Sequence, residues 1–160
     1  MKFGKIYCQD LYQFYRYWLE IICLKVSSGG GSDVSFPSGR QHHILTSKQM
    51  DLLAYMMRNR RQLETEKNIK DDDVLDQLTS NESGRNRIRQ EMGITSQRLY
   101  ELFKNMEDSP YRPIVRVNLE NGKLDYYRIN PRYMPDIAPA NKLNAWTDFT
   151  IRFLQNEKPS

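Results

Sequence analysis

The stretch IRQEMGITSQRLYELFKNME (residues 88–107) constrains the fold of this chain more than any other. Ile88 and Met92 give a first helix its inward edge, and Gly93 predicts a helix end in the left-handed conformation that glycine adopts at little cost. Thr95 is the expected cap of a second helix whose apolar stripe is Leu99, Leu102, Phe103 and Met106. Ile94 and Leu99 occupy the two positions of a hydrophobic staple, which sets the angle of entry into that helix. Two short helices meeting at a tight turn form a helix-turn-helix. Its second helix presents Ser96, Gln97, Arg98, Tyr100, Glu101 and Lys104 outward, where a recognition helix carries its reading residues.

Upstream, Leu11, Phe14, Tyr15, Trp18, Leu19 and Ile22 recur at helical spacing behind Asp10, a fitting cap. The β-branched content of residues 21–26 leaves open a strand at the end of this helix. Residues 27–43 (SSGGGSDVSFPSGRQHH) read as a long loop, either a surface excursion or a segment ordered against a partner. LTSKQM (45–50) opens the next helix: Thr46 caps, Gln49 completes a capping box, and Leu45 and Met50 form the staple. The spacing carries that helix to about Arg61, so that Arg58, Arg60 and Arg61 fall where the helix dipole favours cations. Residues 62–70 read as a connection, and residues 80–84 as a turn. Asp71, Asp72 and Asp73 suit a helix N-terminus; with no second carboxylate cluster or nearby His, a metal site is not expected.

Beyond the second helix, Asn121-Gly122 predicts a hairpin with a two-residue turn. Pairing outward from it matches Glu120 with Lys123, Leu119 with Leu124, Val117 with Tyr126 and Val115 with Arg128. The expected buried face holds Val115, Val117, Leu119, Leu124 and Tyr126; the expected wet face holds Arg116, Asn118, Glu120, Lys123, Asp125 and Tyr127. In the tail, Trp146, Phe149, Thr150, Phe153 and Leu154 fit a helix, whereas the alternation of Phe149, Ile151 and Phe153 inclines the segment toward a strand closing the sheet.

Helices, a helix-turn-helix and an Asn-Gly hairpin in this order make the chain mainly α with a small β-sheet (α+β). The expected fold is a winged helix-turn-helix with an N-terminal helix and a C-terminal arm. It divides into a helical arm (1–26), a Gly-rich flexible loop (27–44), the winged helix (45–131) and a C-terminal arm or strand (132–160). LTSKQ (45–49), IRQEMGITSQRLYELFK (88–104) and YYRINP (126–131) resemble the winged-helix DNA-binding families of plasmids and phages, in particular RepL-type replication initiators. That resemblance covers about residues 45–131 and implies a DNA-binding role in replication or transcription control. The chain departs from the common pattern at Arg89, where a small residue usually lets the two helices approach.

The candidate DNA-contacting residues divide by chemistry. Gln97, Arg98 and Tyr100, with Ser96, would reach base edges, Arg pairing best with guanine and Gln with adenine. Lys104, Arg85 and Arg89 would take phosphates, and the wing would touch an adjacent groove through Arg116 or Lys123. Charge argues more quietly. The whole chain carries +4. Residues 81–130 hold nine Lys or Arg against seven Asp or Glu, hence +2. Duplex affinity rests on neutralising several phosphates, so the alternative stays open that the winged helix serves assembly, as a ring or head-to-tail connector subunit of a phage particle. A homo-oligomer is expected in either case, in the host cytoplasm or in the virion. Two cysteines are too few for a disulfide framework, and no segment approaches the roughly 20 apolar residues that span a bilayer. His42 and His43 have no partner motif, and Gly29-Gly30-Gly31 lacks the Lys-Ser/Thr of a phosphate-binding loop, so neither an enzyme nor a cofactor is expected.

Overall fold

A computed structural model describes residues 2–27, 44–118 and 125–151. Its elements run β1 (Lys2–Cys8), α1 (Leu11–Ser27), α2 (Ser47–Glu66), α3 (Asp72–Ser80), α4 (Glu82–Met92), α5 (Ser96–Glu107), β2 (Ile114–Val117), β3 (Tyr126–Ile129), a 3-10 turn (Pro131–Tyr133) and β4 (Ala145–Ile151). The chain is mainly helical, with two small antiparallel sheets, β1–β4 and β2–β3. The long loop of residues 28–43, with both histidines, lies outside the described residues.

Asp10 caps α1, its carboxylate accepting from the Gln13 amide at 2.8 Å. The apolar stripe of α1 is buried from Leu11 through Phe14, Tyr15, Trp18, Leu19 and Ile22. The helix continues to Ser27, so the β-branched residues 21–26 do not turn into a strand. Ile22 and Cys23 continue the buried stripe one turn beyond Trp18 and Leu19, and packing outweighs propensity there. Trp18 donates from its ring nitrogen to the Tyr133 carbonyl at 2.6 Å, fastening the 3-10 turn to α1.

Helix α2 opens with the expected capping box: Thr46 Oγ1 accepts from the Gln49 amide, and Gln49 Oε1 accepts from the Thr46 amide. It runs on to Glu66, past the expected end at Arg61, and takes up much of the expected connection. The three arginines therefore sit inside the helix rather than at its C-terminus, and side-chain partners replace the dipole. Arg58 bonds Asn59 and Glu91 of α4, Arg60 bonds Asp72 and Asp76 of α3, and Arg61 bonds Glu64 and the Pro139 carbonyl.

Asp71 caps α3 at the Val74 amide, and Asp72 and Asp73 extend the acidic N-terminus toward Arg60 and Arg128. Asp76 is buried between Arg60 at 3.2 Å and Arg128 at 3.1 Å, joining α2, α3 and β3. The expected turn over 80–84 contracts to one residue: Asn81 ends α3 and caps α4 through the Gly84 amide at 2.9 Å. Such a joint needs a glycine. A Cβ on Gly84 would stand 2.2 Å from the Thr79 carbonyl oxygen.

The β2–β3 pair has the expected register, Val115 opposite Arg128 and Val117 opposite Tyr126. The Asn121-Gly122 turn and the pairs of Leu119 and Glu120 lie outside the described residues. The choice of face differs from expectation. Val115 is 47% exposed, whereas Ile114, Tyr127 and Ile129, on the opposite face, join the core. The Tyr127 ring stacks on Phe103 of α5, centroids 4.3 Å apart at 12°, and this contact selects the inward face. Tyr126 is buried as well.

The N-terminal arm is not wholly helical, because it begins with β1. The tail segment is a strand as far as Ile151, yet β4 pairs with β1 and not with β2 or β3, and Phe153 and Leu154 lie outside the described residues. Phe149 of β4 turns inward and meets Trp18 edge to face at 6.4 Å, so one side of this ribbon lies on α1.

Candidate nucleic-acid interface

The turn between α4 and α5 follows from its sequence atom by atom. Gly93 adopts φ 66° and ψ 39°, and the Ile94 amide donates back to the Arg89 carbonyl at 3.2 Å. Thr95 Oγ1 then accepts from the Arg98 amide at 3.1 Å to start α5. Leu99, Leu102, Phe103 and Met106 bury the inner side of α5, which leaves Ser96, Gln97, Arg98, Tyr100, Glu101 and Lys104 exposed. On the far side of α4, Glu91 accepts from Asn59 Nδ2 at 3.0 Å and from Arg58, so α2 braces the pair of helices from behind.

Arg89 does not wedge the helices apart. Its guanidinium turns outward over the turn, donating to Asn86 Oδ1 at 3.0 and 3.2 Å and to the Ile94 carbonyl at 3.5 Å. It arrives at a groove of about 710 Å³ between α4, the first turns of α5 and the β2–β3 pair. Five of the nine candidate residues line that groove: Arg85, Arg89, Ser96, Tyr100 and Arg116. Leu99, Phe103 and Tyr127 form apolar wall, and Glu82 and Asp125 bring the acidic charge. Gln97, Arg98 and Lys104 lie outside the groove on the exposed surface of α5, and Lys123 is outside the described residues.

Charge on this surface is largely matched within the chain. Arg98 pairs with Glu101 at 3.4 Å, Lys104 with Asp108 at 3.8 Å, and Arg116 holds Asp125 through two nitrogens. The Asp125 hydrogen bonds raise the Arg116 pKa further above its ordinary value. Exposed pairs of this kind are worth little in water, about 0–1 kcal/mol, so an incoming phosphate can replace the carboxylate. Arg85 and Arg89 differ. Arg85 donates to the Ser80 and Asp125 carbonyls at 2.8 and 3.1 Å and lies 5.7 Å from the centre of the Tyr127 ring. Its bonds tie the end of α3 to the start of β3, a structural task that helical spacing alone does not reveal. Both guanidinium charges face the groove with uncharged partners.

Two further residues shape the site, Ser80 without a sequence signal and Asp125 on the face that the hairpin pairing shares with Arg116. The buried Ser80 hydroxyl accepts from the Tyr127 amide at 2.8 Å and reaches the Tyr127 carbonyl, satisfying an edge of β3. Asp125 sets the position of Arg116. Among the described residues no group of three His, Cys, Asp or Glu could hold a metal ion, and no described helix is long and apolar enough to cross a membrane. Cys8 and Cys23 are free and buried, and burial pushes their thiols up to about 11 and about 12.

No family model, curated protein or solved structure matches the chain.

Proposed function

We propose that this chain is a non-enzymatic winged-helix protein that binds double-stranded DNA, in replication or transcription control of the phage or plasmid kind. The reading is carried by one observation, the convergence of Arg85, Arg89, Arg116, Ser96 and Tyr100 on a single groove beside the exposed start of α5. In the proposed complex α5 enters the major groove, with Gln97 and Arg98 at base edges and Lys104 on a phosphate. A neighbouring phosphodiester segment enters the groove and meets Arg89 and Arg116, Asp125 giving up its partner as it does so. Tyr100, 57% exposed at the groove, packs on the sugar-phosphate surface. Competition between duplex and single-stranded DNA of the same sequence tests the proposal. Arg89→Ala and Lys104→Ala should each weaken duplex binding severalfold, with folding unchanged. Preference for the single strand, or indifference to both substitutions, rejects it.

The matched charges on α5 and β2 favour a second reading, in which the same fold is a ring or connector subunit of a phage particle and α5 meets protein. Under that reading the chain leaves duplex DNA unshifted and co-assembles with virion proteins.

A further inference from the structure

The β1–β4 ribbon has one side on α1 and one side in solvent. Residues directly opposite across an antiparallel pair share a face, as do alternate residues along each strand. The register sets Tyr7 opposite Trp146 and Lys5 opposite Asp148, so these four side chains share the outer face. Phe149, next along β4, is buried, in keeping with that alternation. Trp146 is 65% exposed and Tyr7 44%, and their rings meet edge to face at 5.7 Å. The arrangement is held under strain. Asn144 has φ 113°, an unfavourable value for any residue with a Cβ, while its amide donates to the Cys8 carbonyl at 2.9 Å and its side chain accepts from the Tyr7 hydroxyl.

We propose that this face is a self-association surface and that its occupant is the same face of a second copy of the chain. The charges select the partner. Among the described side chains one lysine and one aspartate leave the face neutral, which offers nothing to a polyanion and suits a surface of the same composition. The register makes it self-complementary. A two-fold axis along the strand direction, midway between β1 and β4, lays each β1 over the other copy's β4. Lys5 then faces Asp148 twice, and Tyr7 faces Trp146 twice, as an isologous contact requires. The four described side chains per copy make a small interface, which belongs to the weak class below about 1,200 Å² of total buried surface. It is independent of the DNA reading and is tested without DNA.

The test is sedimentation of the full chain over roughly 1 µM to 1 mM, the range of weak complexes, with tryptophan emission recorded alongside. Trp18 is fully buried, so a shift of emission with concentration reports Trp146. The expected result is a mass rising toward two chains together with a blue shift. Trp146→Ala should abolish both. Lys5→Asp should weaken association about tenfold, because it sets carboxylate against carboxylate. Adding Asp148→Lys should restore it, because every cross-pair is then reversed. A native chain that stays monomeric throughout overturns the proposal whatever the variants do. So does association without an emission shift, or association that Lys5→Asp leaves unchanged.

Discussion

Removing the Ser80 hydroxyl tests how α3 holds the sheet that borders the groove. Ser80 is fully buried at the end of α3. Its oxygen accepts from the Tyr127 amide at 2.8 Å, and its one proton serves the Asp76 carbonyl at 3.0 Å or that of Tyr127. Ser80→Ala therefore strands a buried N–H of β3, which costs about 1–3 kcal/mol. Alanine's better helix propensity returns at most about 0.5 kcal/mol, and less at the last helical residue. The net loss is about 0.5–3 kcal/mol. At roughly 2–4 °C per kcal/mol for a chain of this size, the melting temperature should fall by about 1–12 °C. Urea unfolding followed by circular dichroism should show a lower midpoint at unchanged slope. A change below about 0.5 kcal/mol would refute the reasoning, since the strand edge would then be finding its acceptor elsewhere.

Other substitutions probe other joints. Gly84→Ala places a methyl 2.2 Å from the Thr79 oxygen and should cost about 2 kcal/mol or more by the same unfolding assay. Asp125→Asn frees Arg116, so it should tighten duplex binding and steepen the salt dependence by about one charge, and Arg116→Ala in that background should remove the gain. Cys8 and Cys23 should resist a thiol reagent at pH 8 until urea unfolds the chain, because burial raises both pKa values. The linkage sign follows: the thiols ionise first in the unfolded chain. Their contribution is intact below the ordinary value of 9.0 and is lost as pH climbs toward about 11 for Cys8 and about 12 for Cys23.

The parts of the fold legible in the sequence were those whose cause is local. Asp10, Thr46 with Gln49, Gly93 and Thr95 each satisfy backbone groups within four residues, so their roles can be read from spacing. The register of β2 on β3 was legible too, because counting outward from Asn121-Gly122 gives Val115 opposite Arg128 and Val117 opposite Tyr126. What escaped was settled by partners far along the chain. β1 has its only strand partner at the other end of the described chain, and no periodicity in KFGKIYC announces it. The inward face of β2–β3 differs from the expected one because alternation defines two faces but not which one meets Phe103. Helix α2 outran its expected end, and the partners of its last turns lie far along the chain, Arg87 at Gln62 and Asn141 at Glu66. At the candidate site, exposure of the start of α5 and the shared face of Arg116 and Asp125 were readable, whereas the carbonyl ties of Arg85 depend on the tertiary fold.

Duplex binding through α5 and its groove is tested most directly by titrating the native chain against duplex DNA from about 50 to 200 mM salt. Arg89, Lys104 and Arg116 allow about three phosphate contacts. The logarithm of affinity should therefore fall against the logarithm of salt with a slope of about −3, at about −0.9 per phosphate. Substituting Arg98 and Lys104 together by Ala should weaken binding and flatten that slope by about one phosphate, the one Lys104 holds. Absence of any retardation at about 50 mM salt, where phosphate contacts are strongest, would contradict DNA binding and leave α5 as a surface for protein.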